Sequence, residues 1–329
     1  MSALAFRPLA AVILLSTTCH LTAQDTGPSA GDPGVPKDRE SIVRLQAFLD
    51  RKFFGPGKVD GATGEFTYKA VVNYNVSTGH SNLYDWGPAR EAAKRELTTA
   101  YAAVRVREKW LEYVNPKLPT DPALQESFKF MAYRSLAELV AERFHTDETF
   151  LAKVNPKVNL NAMKPGQLLK VPNVIPFCIE DVATHLNFKN DSTLSANSIV
   201  IDTVERQAAI WNSAGVLLAA FPITPGKPQF IPVGEWVVTT MVTTPNFRYD
   251  KQFLEEGSRG DKAYHIPPGP NNPVGVLWAG LSKSGIGLHG TSSPRTIGRS
   301  QSAGCVRFSN WDAMRLPQLI RPGSRVIVR

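Results

Sequence analysis

Cysteine and histidine are scarce in this chain, with 3 cysteines and 6 histidines among 329 residues. No two cysteines form a Cys-x-x-Cys pair and no two histidines stand four apart. The ligand spacings of a zinc site are therefore missing, and a zinc peptidase is not expected. Three cysteines are also too few for a disulfide scaffold. There is no glycine-rich phosphate loop and no dinucleotide fingerprint, so no cofactor is expected. No Lys/Arg run of the nucleic-acid-binding kind occurs, although the net charge is +8. Long apolar runs are missing too: the longest, at 9–15, falls far short of the roughly 20 residues that span a bilayer.

Hydrophobic residues make up 43% of the chain, enough for real cores, and the length suggests two or three domains. The basic excess is uneven. From Lys283 onward there are eight Lys/Arg against one acid, Asp312. That end suits a substrate carrying carboxylates.

Residues 1–23 read as a secretory signal, with Arg7 before a short apolar run and small residues at Thr22-Ala23. The protein is expected to be exported and soluble after signal cleavage. Residues 24–39 are rich in Gly, Pro, Ser and Asp and read as a linker. Ile42, Leu45, Leu49 and Phe53 recur at helical spacing and open a small helical unit over 40–80. Residues 81–128 read as a charged helical connector. Over 129–172, two short helices stop at Asn155-Pro156 and a strand closes the segment at Leu169-Lys170-Val171-Pro172.

From 178 to 329 the character changes. Strands are expected at 198–202, 208–211, 216–221, 235–242, 276–279 and 325–328, separated by Gly/Pro turns. One helix is expected at 310–319. The overall class is multidomain α+β, ending in a mainly-β sandwich or barrel-like domain.

The chemistry concentrates in residues 289–307. His289 is followed sixteen residues later by Cys305, inside Ser302-Ala303-Gly304-Cys305-Val306-Arg307. A thiol is a strong nucleophile only as thiolate, and a nearby imidazole can take its proton or lower its pKa from the free value of about 8.5. Gly304 lets backbone approach a substrate closely. Cys178, in an apolar strand-like run, reads as an ordinary buried thiol.

This stretch resembles the signature of the L,D-transpeptidase (YkuD-type) catalytic domain: His289-Gly290-Thr291, then Ile297-Gly298, then Ser-x-Gly-Cys-Val-Arg. Pro232-x-Gly234 and 267–275, Pro-Pro-Gly-Pro-Asn-Asn-Pro-Val-Gly, extend the likeness, although Ile231 stands where the family has Thr. The resemblance implies a cysteine acyl-enzyme acting on peptidoglycan stem peptides, forming 3→3 cross-links with release of D-Ala. It implies Cys305 as nucleophile and His289 as base, with the Gly290 carbonyl holding the ring and Gly304 lending an oxyanion-hole amide. Arg307, Ser302, Thr291 and Asn272 would meet the substrate.

Two weaker likenesses lie upstream. Leu45-Gln46, Val59-Asp60-Gly61, Gly64, Thr67 and Ala70-Val71 resemble a three-helix peptidoglycan-binding domain, with Tyr74-Asn75 where the family ends in Phe-Gln. Asn155-Pro156, Gly166-Gln167 and the closing strand resemble a LysM module, a βααβ glycan binder. The expected partner is peptidoglycan, stems and glycan. Two other readings stay open: hydrolysis by the same cysteine, as an L,D-carboxypeptidase or endopeptidase, and a non-enzymatic wall-binding protein.

Overall fold

The computed structural model describes residues 32–227, 230–231, 233–300 and 304–329. The expected signal, the first part of the linker, Ser302 and Pro232 lie outside the described residues. Among the described residues no helix is long and apolar enough to cross a membrane.

Helix α1 (Arg39–Arg51) starts where the Asp38 side chain accepts the Ser41 N–H at 2.8 Å. Its Ile42, Leu45 and Leu49 are buried, as their spacing predicts. Helix α2 (Glu65–Thr78) ends at Gly79, whose φ of 73° is left-handed. Helix α3 (Gly87–Glu96) packs on both and completes a three-helix unit. Gln46 explains the recurrent pattern in this unit. Its amide donates to Asp60 Oδ1 (3.1 Å), Ala62 O (3.1 Å) and Thr67 Oγ1 (3.0 Å), and its carbonyl accepts the N–H groups of Asp60 and Gly61. The Leu-Gln, Asp-Gly and Thr of the pattern thus form one internal knot.

Strand β1 (Tyr101–Arg105) pairs antiparallel with β2 (Leu168–Pro172), from Tyr101↔Pro172 to Arg105↔Leu168. A βααβ unit over 129–172 would open with a strand near its start, but there Tyr133 makes only an isolated bridge to Val114. The true strand was masked by Ala102, Ala103 and Arg105, residues that favour helix in isolation and are extended here by pairing with β2. The connector is consequently not helical throughout. Between β1 and the helix pair lies an insert, residues 106–135, containing the short α4 (Pro122–Gln125). The pair itself is α5 (Leu136–Arg143), capped by Ser135, and α6 (Glu148–Val154), capped by Asp147.

The last region is one eight-stranded sheet. Its strands are β3 (Ser198–Asp202), β4 (Gln207–Trp211), β5 (Leu217–Pro222), β6 (Gly234–Thr243), β9 (Leu277–Leu281), β10 (Gly287–His289), β11 (Val306–Arg307) and β12 (Arg325–Val328). Between β6 and β9, a hairpin of β7 (Phe247–Tyr249) and β8 (Tyr264–Ile266) carries α7 (Lys251–Glu256). The spatial order is β11-β10-β9-β6-β12-β3-β4-β5, with β10–β11 and β12–β3 parallel. The sheet curls until its ends meet: Thr224, just past β5, exchanges backbone bonds with Arg307 of β11 at 3.0 and 2.9 Å. The expected helix at 310–319 is a single turn, α8 (Asn310–Ala313), followed by a 3-10 turn.

The upstream units are fused to this sheet. Phe53 and Gly55 bond to Ala220, so the α1–α2 connection covers the exposed edge of β5. Leu217, Ala220, Val276 and Trp311 belong to the same apolar core as α1, α2, α3 and α5.

Candidate active site

Strands β10 and β11 run side by side because His289 registers with Arg307 and Leu288 with Val306. Phe308 N–H also donates to His289 O at 2.7 Å. This pairing brings His289 and Cys305, sixteen residues apart, to the wall of one cavity. The cavity holds about 400 Å³ and is also lined by Phe230, Phe247, Tyr249, Phe253, Gly304 and Arg307.

The His289 ring is buried and its Nδ1 lies 2.6 Å from Gly290 O. A carbonyl can only accept, so Nδ1 carries the hydrogen and Nε2 keeps its lone pair. Trp278 stacks on the ring at 5.7 Å. The half-buried Cys305 donates its S–H to Gly285 O at 3.5 Å, which favours the thiol, while the Gly287 amide favours the thiolate. Arg307 projects into the same cavity, and the lining residues include Lys283 but no carboxylate.

The electrostatics oppose a preformed ion pair. Burial pushes the Cys305 thiol up to about 11, against smaller downward pulls from Gly287 and Arg307. Burial, then the Arg307 cation, push the His289 imidazole down to about 3. The lowered thiol pKa expected from an adjacent imidazole is therefore reversed. At neutral pH the pair rests as thiol and neutral imidazole, and a proton must move before the sulfur can attack.

The predicted substrate contacts divide. Arg307 and Gly304 face the cavity. Thr291 and Asn272 do not line it. Thr291 is buried, and its hydroxyl accepts the Ser293 N–H at 3.2 Å. Asn272 is fully buried: its amide donates to Pro267 O at 2.7 Å and its carbonyl accepts the Val274 N–H at 2.9 Å. Both side chains bond to backbone in the loops that flank the cavity. Ser302 lies outside the described residues. Cys178 is half-buried, not fully, and its sulfur accepts from Arg143 Nη1 at 2.9 Å.

Three features escaped the sequence reading. The aromatic wall of Phe247, Tyr249 and Phe253 comes from the β7–α7–β8 segment, whose Phe247 and Tyr249 also pack on Leu118, Met131 and Ile266. Gly226 abuts the loop before Cys305 so closely that a Cβ there would lie 2.2 Å from Gly304 O. Asn310 braces the loop after His289: its Oδ1 accepts the N–H of Thr291 at 3.1 Å and of Val276 at 3.2 Å.

Residues 196–328 match the L,D-transpeptidase catalytic domain family, YkuD. A Fuscovulum blasticum protein named "Putative L,D-transpeptidase in ATP synthase subunits region ORF 5" is 30% identical over 137 residues, 41% of this chain and 71% of that one. The chain belongs to the L,D-transpeptidase family. The Bacillus licheniformis "Putative L,D-transpeptidase YkuD" is 26% identical over 197 residues, covering 58% of this chain and 92% of that protein. Among solved structures, the L,D-transpeptidase from Mycobacterium smegmatis aligns at TM-score 0.34 and 15% identity, over 51% of this chain and 75% of that one. In this L,D-transpeptidase family member the matched segment begins just before β3 and ends at β12, so it takes in the whole curled sheet and excludes both upstream units.

Proposed function

We propose that this protein is a peptidoglycan L,D-transpeptidase that works through a cysteine thioester. The observation that carries the reading is the shared cavity: His289 with a free Nε2 lone pair, the Cys305 sulfur and two cations line one opening in a sheet of this family. In the first step Nε2 takes the thiol proton as Sγ bonds to the carbonyl carbon of the third stem residue. The C–N bond to the terminal D-Ala breaks, the proton passes from His289 to the leaving amine, and a thioester remains. An amine of a second stem then attacks; His289 takes its proton and returns it to the departing sulfur, giving a 3→3 cross-link. The Gly304 and Cys305 amides are the candidates for stabilising the oxyanion. Arg307 and Lys283 supply positive charge for stem carboxylates. The three-helix and βααβ units would add contacts to the wall polymer, in an exported protein of the periplasm or cell wall.

The test is incubation of the protein, from residue 24 onward, with tetrapeptide muropeptides, followed by mass spectrometry. Wild type should release D-Ala and form dimers, and Cys305→Ala should do neither. Release without dimers in excess acceptor would identify a hydrolase instead. Either product from Cys305→Ala would refute the thioester mechanism.

A further inference from the structure

The residue that holds the base in place is itself held from outside the catalytic domain. Asn310 opens α8 and is fully buried. Its Oδ1 fixes the N–H of Thr291, two residues past His289, and the N–H of Val276, while its Nδ2 donates to Pro270 O at 3.2 Å. Room for this side chain is cut into the backbone. A Cβ on Gly290 would lie 2.2 Å from Asn310 Oδ1, and one on Gly275 2.1 Å from it. Because Gly290 O receives the His289 Nδ1 hydrogen, the Asn310 bonds set the direction in which Nε2 faces.

Two upstream elements grip this arrangement. Helix α5 packs against α8. Its Glu142 is buried beside Tyr133 and Asn310, and its Oε1 has no hydrogen-bond partner among the described residues. One turn earlier, Glu138 accepts from Asn271 Nδ2 at 2.9 Å, in the loop that supplies Pro273 and Val274 to the cavity. At the far end of α8, Arg315 donates to Asp50 of α1 at 3.1 and 2.7 Å and to Asp312 at 3.0 Å. His145 meets both Asp50 oxygens at 3.0 Å and stacks on Trp311 at 5.1 Å. Three parts of the chain thus close on one short helix.

We propose that Asn310 is a positioning residue for His289, with Glu142 of the upstream unit as its partner, so that the helical units are part of the active site rather than appended to it. This rests on the thiol–imidazole reading given under Proposed function. It is tested by a reaction that needs no peptidoglycan: alkylation of Cys305 by iodoacetamide near neutral pH, read by peptide mass mapping so that Cys178 is scored separately. The proteins are wild type, His289→Ala, Asn310→Ala, Glu142→Ala and Glu142→Gln. Asn155→Ala is the control, removing a buried asparagine that braces Leu151 and Lys170 away from the cavity.

His289→Ala and Asn310→Ala should each slow alkylation, by up to on the order of 10²-fold, and the double variant should be no slower than the worse single. Glu142→Ala should slow it too, and Glu142→Gln, which keeps an oxygen for Asn310, should restore it. Asn155→Ala should lower thermal stability and leave the rate alone. A wild-type rate in folded Asn310→Ala, with His289→Ala slow, overturns the positioning role and leaves the proposed base intact. An unchanged rate in His289→Ala removes the base, and the positioning role with it. Should Asn310→Ala fail to fold, the Glu142 pair decides: slow with Ala and restored with Gln supports the role, and wild-type rates in both overturn it.

Discussion

At Cys305 and His289 the protein accepts weak acid–base partners in return for a dry, shaped cleft. A thiol pushed up to about 11 and an imidazole pushed down to about 3 keep the proton on sulfur at rest, so base and nucleophile act together only during attack. The sign of these shifts fixes a pH dependence. A free imidazole titrates near 6.5 and would lose base function below that pH. With its pKa lowered, His289 remains a neutral base down to about pH 3. The kcat/KM profile should therefore be flat from about pH 5 to about pH 9, because the competent form, neutral imidazole with protonated thiol, predominates across that range. A fall with a midpoint near 6.5 would mean that the resting imidazole is charged. Gly226 offers a second residue-scale check. A methyl at this position meets the Gly304 carbonyl at 2.2 Å, so one of the two backbones must move. Gly226→Ala should cost about 1–3 kcal/mol in stability by overpacking, and lose turnover beyond what that cost explains. Calorimetry and the muropeptide assay together separate the two effects. His289 and Cys305 were legible as candidates because a nucleophile and its base would need fixed residue types at a fixed spacing, and the fold brings both to one cavity. The backbone bonds of Thr291 and Asn272 were not legible, because a polar side chain in a motif looks the same whether it meets ligand or backbone. Asn310 gave no signal, since one asparagine after a serine is an ordinary helix start.

Among the elements, α8 is short but bears more of the architecture than its single turn suggests. Asp50 is fully buried, and against the cost of that burial the Arg315 guanidinium, together with hydrogen bonding to the His145 ring, holds its carboxyl well below the usual range. A depressed carboxylate pKa stabilises the fold above the unfolded value of about 3.9, and that contribution is lost as pH falls below it. Asp50→Asn should destabilise the protein by about 3–5 kcal/mol at pH 7, because it leaves the buried Arg315 with Asp312 alone. The deficit should shrink on acidification below about pH 4, since the unfolded wild-type chain then takes up a proton that the folded carboxylate refuses. Urea unfolding at pH 7 and pH 3 checks both statements, and equal deficits at the two pH values would contradict the assignment. Strands such as β3 and β12 were legible from their β-branched residues. Strands β10 and β11 were not, because three residues and two residues hold no period to read. Strand β1 was hidden for a different reason: its extended shape comes from a partner more than sixty residues away.

At the scale of the whole molecule, the family match stops where the packing does not. Residues 196–328 carry the curled sheet, yet the core that covers its outer face is shared with α1, α2, α3 and α5. Residues 53–55 shield the β5 edge, and Lys69 ties α2 to Glu205, donating to its carbonyl and pairing with its carboxylate at 2.7 and 2.9 Å. The insert at 106–135 reaches the opposite side, where Met131 N–H donates to Pro268 O and Met131 O accepts the Asn271 N–H. An open strand edge and an uncovered apolar face both invite association. The fragment 178–329, expressed alone, should therefore melt well below the full chain, bind a hydrophobic dye and self-associate in analytical ultracentrifugation. Supplying residues 32–177 in trans should reverse these changes, because the contact is a packed core and not a tether. A monomeric fragment with the melting temperature of the whole protein would show that the sheet closes on its own resources. The helical units would then be passengers, free to be read purely as wall-binding modules.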